Sequence, residues 1–452
     1  MSVPDTMNRL NAEDDMFLKM YSFLPNVMTP QVAWVFDEPL PRATWARFDD
    51  HLAHGFGARR VRKTRIPFAR PWFDEPLDRH PLDFDEIPVA EDDYLGWLWR
   101  KGEVDLDPYR GCVHRLSVSP TTAGGQIVSF VMSHAVLDGG GISYALSDAM
   151  RRLADDAPVS RAESSGRFIG STPATRRRRA HLADARGQLR AVGSAVRSAW
   201  ADRNMTEPPR NPRPESPRLD FAGDWDPSVT ILETPMADWN RVAAERGGTA
   251  NGLFIGLSVG MLGRCGRVAD GASVRVDVPH SLRTDDNDPR GNAVGGLPIP
   301  VVYRAGARTD LTEIRATMKA ALTNHDPNHK PAMAHMGPIQ MMVPDRVAKL
   351  AVKFGKSPEL LCSNLGTATR QIDTIGGVRA RKVVFRNRLA PVPADLYRRL
   401  EAGLSIGLAN DGETVTMAVA GLDPDRIPTR EALEKLITDE FGAWGLVPTF
   451  WG

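Results

Sequence analysis

The chain has 452 residues, and its 57 Lys+Arg against 56 Asp+Glu leave a formal net charge of +1. That near-cancellation excludes a protein held to nucleic acid or another polyanion by bulk charge, leaving only local basic patches. Hydrophobic residues make up 42% and charged residues 25% of a chain with 39 Gly and 35 Pro, which excludes disorder and fibrous repeats as descriptions of the whole.

In chain order, the opening segment MSVPDTMNRLNAEDDMF is acidic and polar, unlike a signal peptide. Residues 126–132, QIVSFVM, follow the turn signal TTAGG and are apolar and β-branched, which predicts a buried strand. After DGGG at 138–141, Ile142, Ala145, Leu146, Ala149 and Leu153 recur at helical spacing, so a helix begins at once. Residues 161–225 read as a connection, with RRRR at 176–179 and the Pro-rich EPPRNPRPESPR at 207–218. Within it, Leu182, Leu189, Val192, Val196 and Trp200 fall on one side of a basic helix. The expectation is a solvated helix that packs this stripe on the body; the alternative is a surface facing anionic lipid or an acidic carrier protein.

A second half starts near Ser228. It holds a mostly buried helix at 249–262, strands at 273–279 and 298–303, and a capping box of Asp310 with Glu313 ahead of Ile314, Met318 and Ala321. LSIGLAN-DGE-TVTMAVAG at 404–421 has the pattern of a hairpin turning at Asn410, Asp411 and Gly412. After Pro428 comes a last helix with Leu433, Leu436, Ile437, Phe441 and Trp444 on one face. Strands and helices mix in both halves, so the fold class is α/β (α+β). The division is 1–165, a basic and Pro-rich connection at 166–225, and 226–452.

Cys112, Cys265 and Cys362 are too few and too far apart for a disulfide framework or a cysteine zinc site. His114 and His280 lack any metal-ligand spacing relative to His134, so no metal is expected. The longest apolar stretch, 253–262, is too short to span a bilayer, and a reducing cytoplasm is the default address, with peripheral membrane contact left open.

The segment SFVMSHAVLDGGGISYAL at 129–146 carries the chemistry. His134 emerges from an apolar strand, Asp138 follows, and burying both costs free energy unless each is partnered. The glycines permit a tight turn and close approach by a ligand. A neutral imidazole there takes a proton from a hydroxyl or amine near pH 7; the alternative is a structural histidine beside a turn aspartate.

HAVLDG at 134–139, behind a hydrophobic strand, resembles the H-x-x-x-D-G core of the acyltransferase superfamily that includes chloramphenicol acetyltransferase, condensation domains of nonribosomal peptide synthetases, polyketide-associated acyltransferases and wax ester synthase/diacylglycerol acyltransferases. LNAEDDMFLKM (10–20), GTANGLFIGLSVGML (248–262), VDVPHSLRTDDNDPRGNAVGGLPIPV (276–301) and SNLG (363–366) resemble further segments of that superfamily in order, the wax ester synthase-like branch most of all. The resemblance implies two chloramphenicol acetyltransferase-like halves in a V, with His134 in the tunnel between them. It implies transfer of an acyl group from a thioester, on coenzyme A or a phosphopantetheine arm, to a hydroxyl or amine. His134 is then the general base, with no acyl-enzyme and no permanently bound cofactor. His134 matches the second histidine of the family's H-H-x-x-x-D-G, and Ser133 stands where the first would be. Asp138 and Gly139 complete the motif. Asp138 is expected to pair with Arg283 rather than move protons, against the simpler possibility that Arg283 serves its neighbours Asp285, Asp286 and Asp288. Ser133, Ser363 and Asn364 are candidates to bind substrate or the oxyanion. Partners implied are a small-molecule or lipid acceptor and an acyl-carrier protein. The alternatives are a carrier-dependent condensation or amide-forming module, and a non-catalytic acyl- or carrier-binding scaffold.

Overall fold

The computed structural model describes residues 8–160, 174–201, 203, 213–283, 288, 290–306, 310–323, 335–345, 347–348 and 357–452. Two sheets organise it. The first runs, in spatial order, Lys382–Leu389, Met28–Phe36, Gln126–Met132, His114–Pro120 and Asp83–Phe84, antiparallel except at the last pair. The second runs Thr449–Phe450, Ser228–Pro235, Thr414–Gly421, Leu404–Asn410, Leu360–Asn364, Ser273–Ser281 and Val294–Val302, with Leu360–Asn364 parallel to both neighbours. Mixed sheets packed with helices give the expected α/β class.

Local sequence explains most of these elements. QIVSFVM is the central strand Gln126–Met132, and the stripe from Ile142 to Leu153 is buried on the helix Gly139–Ala154. The helix Ala250–Arg264 is buried at every position from Gly252 to Leu262, because it lies between the second sheet and the helices Met236–Glu245, Thr312–Thr323 and Arg430–Trp444. In the 404–421 hairpin, Gly412 takes φ +91° while the Asp411 carboxylate accepts the amides of Glu413 and Thr414 at 2.9 and 2.7 Å. Phe441 and Trp444 are core residues of the last helix. At Asp310 the outcome differs: its carboxylate accepts the Thr312 amide at 2.7 Å, a local turn ahead of the helix Thr312–Thr323 rather than a capping box.

The halves share an apolar junction. Ala33, Val35, Ile127 and Val384 of the first sheet pack with Ile231 and Ala418 of the second, with Tyr94, Trp97 and Trp451 around them. The strand Lys382–Leu389 comes from the C-terminal part of the chain yet completes the first sheet beside Met28–Phe36.

The basic connection contains the 28-residue helix Ala174–Ala201. Its body-facing side is His181, Ala185, Gln188 and Ala195, all buried, with His181 against Trp72 and Asp184 paired to Arg70 at 2.8 Å. Leu182, Leu189, Val196 and Trp200 are exposed and only Val192 is half-buried, so most of the apolar stripe does not pack on the body as the sequence suggested. Small and polar residues make the seat instead. Residues 207–212 of the Pro-rich segment lie outside the described residues, as do Asp285 and Asp286. No helix among the described residues is long and apolar enough to cross a membrane.

Candidate active site

Strand Gln126–Met132 ends at Ser133, whose amide donates to the Val113 carbonyl at 2.7 Å. The chain turns through His134 and re-enters a helix capped by Asp138. This strand–turn–helix places His134 and Asp138 at one end of the first sheet, four residues apart but with separate partners.

Asp138 is buried, and its carboxylate is fully occupied. It accepts the Gly141 amide at 2.8 Å, the Ala293 amide at 2.7 Å and Arg283 Nη1 at 2.9 Å. Arg283 Nη2 donates to the Gly291 carbonyl at 2.9 Å and the Arg290 carbonyl at 3.2 Å. Arg283 therefore sits with Asp138, while Asp288 pairs with Arg290 at 2.6 Å. The glycines explain how close these groups come: a Cβ on Gly141 would lie 3.2 Å from Arg283 Nη2 and 2.9 Å from the Leu137 side chain.

Asn292 fixes the state of His134. Its Nδ2 donates to Asp14 Oδ1 at 2.9 Å and to the His134 carbonyl at 3.0 Å, and neither orientation of the amide but this one satisfies both acceptors. Asn292 Oδ1 then faces His134 Nδ1 at 3.2 Å. An amide oxygen only accepts, so Nδ1 carries the proton and Nε2 keeps its lone pair. Burial lowers the His134 pKa, against the opposing pull of a hydrogen bond to its own backbone, the Asp138 charge and Asn292. The ring is neutral at neutral pH.

Asp14 anchors this arrangement from the first helix, Ala12–Phe23. It forms a capping box with Asn11 and accepts both the backbone and side-chain amides of Asn292 at 2.9 Å. Burial raises its pKa to about 6, against those hydrogen bonds and the nearby Arg59. Arg59, fully buried between Phe56 and Phe73, is lowered by burial to about 10. Gly291 makes room for all of this: a Cβ there would lie 2.2 Å from the Val136 carbonyl and 2.9 Å from Asp14 Oδ1.

The same helix covers the His134 imidazole. Phe17 stacks on the His134 ring with centroids 3.6 Å apart and planes inclined by 15°. Beside the ring lies a cavity of about 20 Å³ walled by Phe17, Met20, Tyr21, Leu24, Met28 and Ser133. That is room for about one water molecule.

Of the other candidates, Ser133 lines this cavity. Gly139 opens the helix, with Leu365 of the second half 3.4 Å from where its Cβ would be. Ser363 and Asn364 end the strand Leu360–Asn364; Asn364 donates to Asn251 at 3.0 Å and accepts the Gly366 amide at 2.7 Å, and neither residue bonds His134 among the described residues. His114 pairs across from Met132, and burial lowers it to about 4. No group of three or more His, Cys, Asp or Glu able to hold a metal exists among the described residues, and the three cysteines are free. Asn292, Asp14 and Phe17 are the residues that the sequence did not single out. The signals were the Gly291-Asn292 pair and the Asn11–Asp14 capping spacing.

Solved structures of condensation domains share this architecture. The chain aligns over 97% of its length with 96% of the first condensation domain of the calcium-dependent antibiotic synthetase bound to a substrate analogue, at 16% identity and a TM-score of 0.58. A variant of the starter condensation domain of rhizomide synthetase RzmA, in complex with C8-CoA and Leu-SNAC, aligns at 13% identity and a TM-score of 0.57, covering 97% of this chain and 95% of that one. The condensation domain of the monacolin K polyketide synthase MokA aligns at 12% identity and 0.56, covering 98% and 99%. The chain has the condensation-domain fold. At these identities the likeness is one of fold, and no family model and no curated protein matches the sequence. Within the condensation-domain fold, His134 lies where the strand–turn–helix of the first half meets Arg283 and Asn292 of the second.

Proposed function

We propose that this protein is an acyltransferase in which His134 Nε2 takes the proton of a hydroxyl or amine acceptor as that acceptor attacks a thioester carbonyl. The observation that carries this reading is the hydrogen bond from His134 Nδ1 to Asn292, which leaves Nε2 unprotonated on a ring kept neutral by burial. Attack forms a tetrahedral oxyanion. Its collapse forms the ester or amide and expels a thiolate, which recovers the proton from Nε2. No acyl-enzyme is required. Ser133 in the cavity wall and the Ser363–Asn364 strand end are the candidate oxyanion or substrate contacts, and Asp138 with Arg283 holds the turn without exchanging protons.

The donor is a thioester of coenzyme A or of a carrier-bound phosphopantetheine, and the acceptor a small molecule or lipid. The likeness to domains solved with an acyl-CoA or substrate analogues supports a thioester donor. The test is thiol release from a panel of acyl-CoAs and acyl-carrier proteins, each with mixed alcohols and amines, using wild type and His134→Ala. Acceptor-dependent thiol release that the variant lacks supports the proposal. Release equal in both proteins overturns it.

A further inference from the structure

The helix Ala174–Ala201 has two sides with different partners, and only one is accounted for. His181, Ala185, Gln188 and Ala195 face the body. Leu182, Leu189, Val196 and Trp200 are 40%, 51%, 52% and 70% exposed. At about 100° per residue these four fall within about 40° of one another, in a straight line of roughly 27 Å along the axis. Arg179, Arg186, Arg190 and Arg197 follow on the flank away from the body, and none of them makes an ion pair among the described residues. Asp184, the acid on the described part of this helix, is committed to Arg70 on the other side. Trp200 carries the Arg203 guanidinium 4.9 Å above its ring. The result is an apolar line with one basic flank and, among the described residues of the helix, no acidic counterpart on it.

We infer that this face docks the protein on an anionic lipid surface, the four apolar side chains entering the headgroup boundary and the arginines meeting lipid phosphates. Charge complementarity and shape decide the occupant. A flat bilayer engages all four apolar residues at once, and long arginine side chains reach outward to phosphates while their stems stay over apolar groups. A second copy of the chain would bring one arginine row against another, which disfavours self-pairing despite the spacing of seven between Leu182, Leu189 and Val196. The inference is independent of the acyl-transfer chemistry.

The test is co-sedimentation of the full chain with vesicles of phosphatidylcholine alone and of phosphatidylcholine with phosphatidylglycerol. Binding is expected only to the anionic vesicles and is expected to fall as salt rises. Arg186→Gln and Arg190→Gln should each weaken it about fivefold, and Leu189→Glu by about tenfold or more, with unchanged thermal melting because these positions are exposed. Equal binding to both vesicle types, no binding to either, or binding that the variants leave intact overturns the inference. So does a chain that ignores vesicles but binds an acidic acyl-carrier protein through these residues, or one whose oligomeric mass drops in Leu189→Glu.

Discussion

His134, Asn292 and Asp14 form a chain in which each side chain determines the state of the next. If His134 is the base, His134→Ala should lower turnover by roughly 10²–10⁴-fold while leaving the circular dichroism spectrum intact; near-wild-type rates would refute the role. Because burial holds the His134 pKa below 6.5, kcat/KM should climb with an inflection under that value and stay level through neutrality. Asn292→Ala frees the imidazole tautomer and strips the side-chain donor from buried Asp14, leaving only the backbone amide of residue 292, so it should slow catalysis and also cost about 2 kcal/mol of stability by denaturant titration. Asp14 itself makes a stability prediction with a defined sign. Its pKa is raised on folding from 3.8 to about 6, so the folded state favours the protonated acid. Its stabilisation is complete below about pH 3.8 and is lost as pH rises through about 6, by roughly 3 kcal/mol. Asp14→Asn cannot ionise, so its melting temperature should gain on wild type across that window. His134 and His114, both lowered, act in the opposite direction, but they are common to the two proteins and cancel in the difference. A constant difference across the window would remove Asp14 as a buried titrating acid.

At the scale of elements, the helix Gly139–Ala154 is tied to the second half through its cap. Asp138 accepts from Gly141 within the helix and from Ala293 and Arg283 across the divide. Asp138→Asn and Arg283→Gln should each destabilise by about 3–5 kcal/mol, and the double variant by far less than their sum. Additive losses in denaturant titrations would mean the two do not act as a pair. This strand–turn–helix was legible in the sequence because a β-branched run, a glycine turn and a 3.6-residue stripe follow without a gap. The 404–421 hairpin was legible for the same reason, its turn residues lying between two alternating runs. Asn292 was not legible as a functional residue. It acts on His134 from 158 positions away, and no local pattern connects them. The helix Ala174–Ala201 misled in a different way. Hydropathy assigns the seat to Leu and Val, whereas the fold seats His181, Ala185 and Gln188, with His181 against the Trp72 ring.

Across the whole molecule, the two sheets depend on each other. Lys382–Leu389 pairs with Met28–Phe36 through eight consecutive registers, from Met28↔Leu389 to Val35↔Lys382. KVVFRNRL reads as a strand in isolation, but nothing local says which sheet it joins. Without it the first sheet has an open edge of unpaired amides and carbonyls. Residues 1–225 expressed alone should therefore be aggregation-prone or lack cooperative melting, and co-expression of residues 226–452 should restore a soluble complex. A monomeric, cooperatively melting 1–225 fragment by size exclusion and circular dichroism would show the strand to be dispensable.

The crossover strand also sets a schedule for synthesis. Met28–Phe36 leaves the ribosome long before Lys382–Leu389 does, and at about 5–20 residues per second the gap is on the order of tens of seconds. Throughout that interval the nascent first sheet, with the turn that carries His134, lacks its closing strand. Such a long sequence separation slows folding and prolongs exposure of an apolar edge. Yield in a cell should thus respond to translation speed and to chaperones that shield nascent strands, even at constant thermodynamic stability of the finished protein.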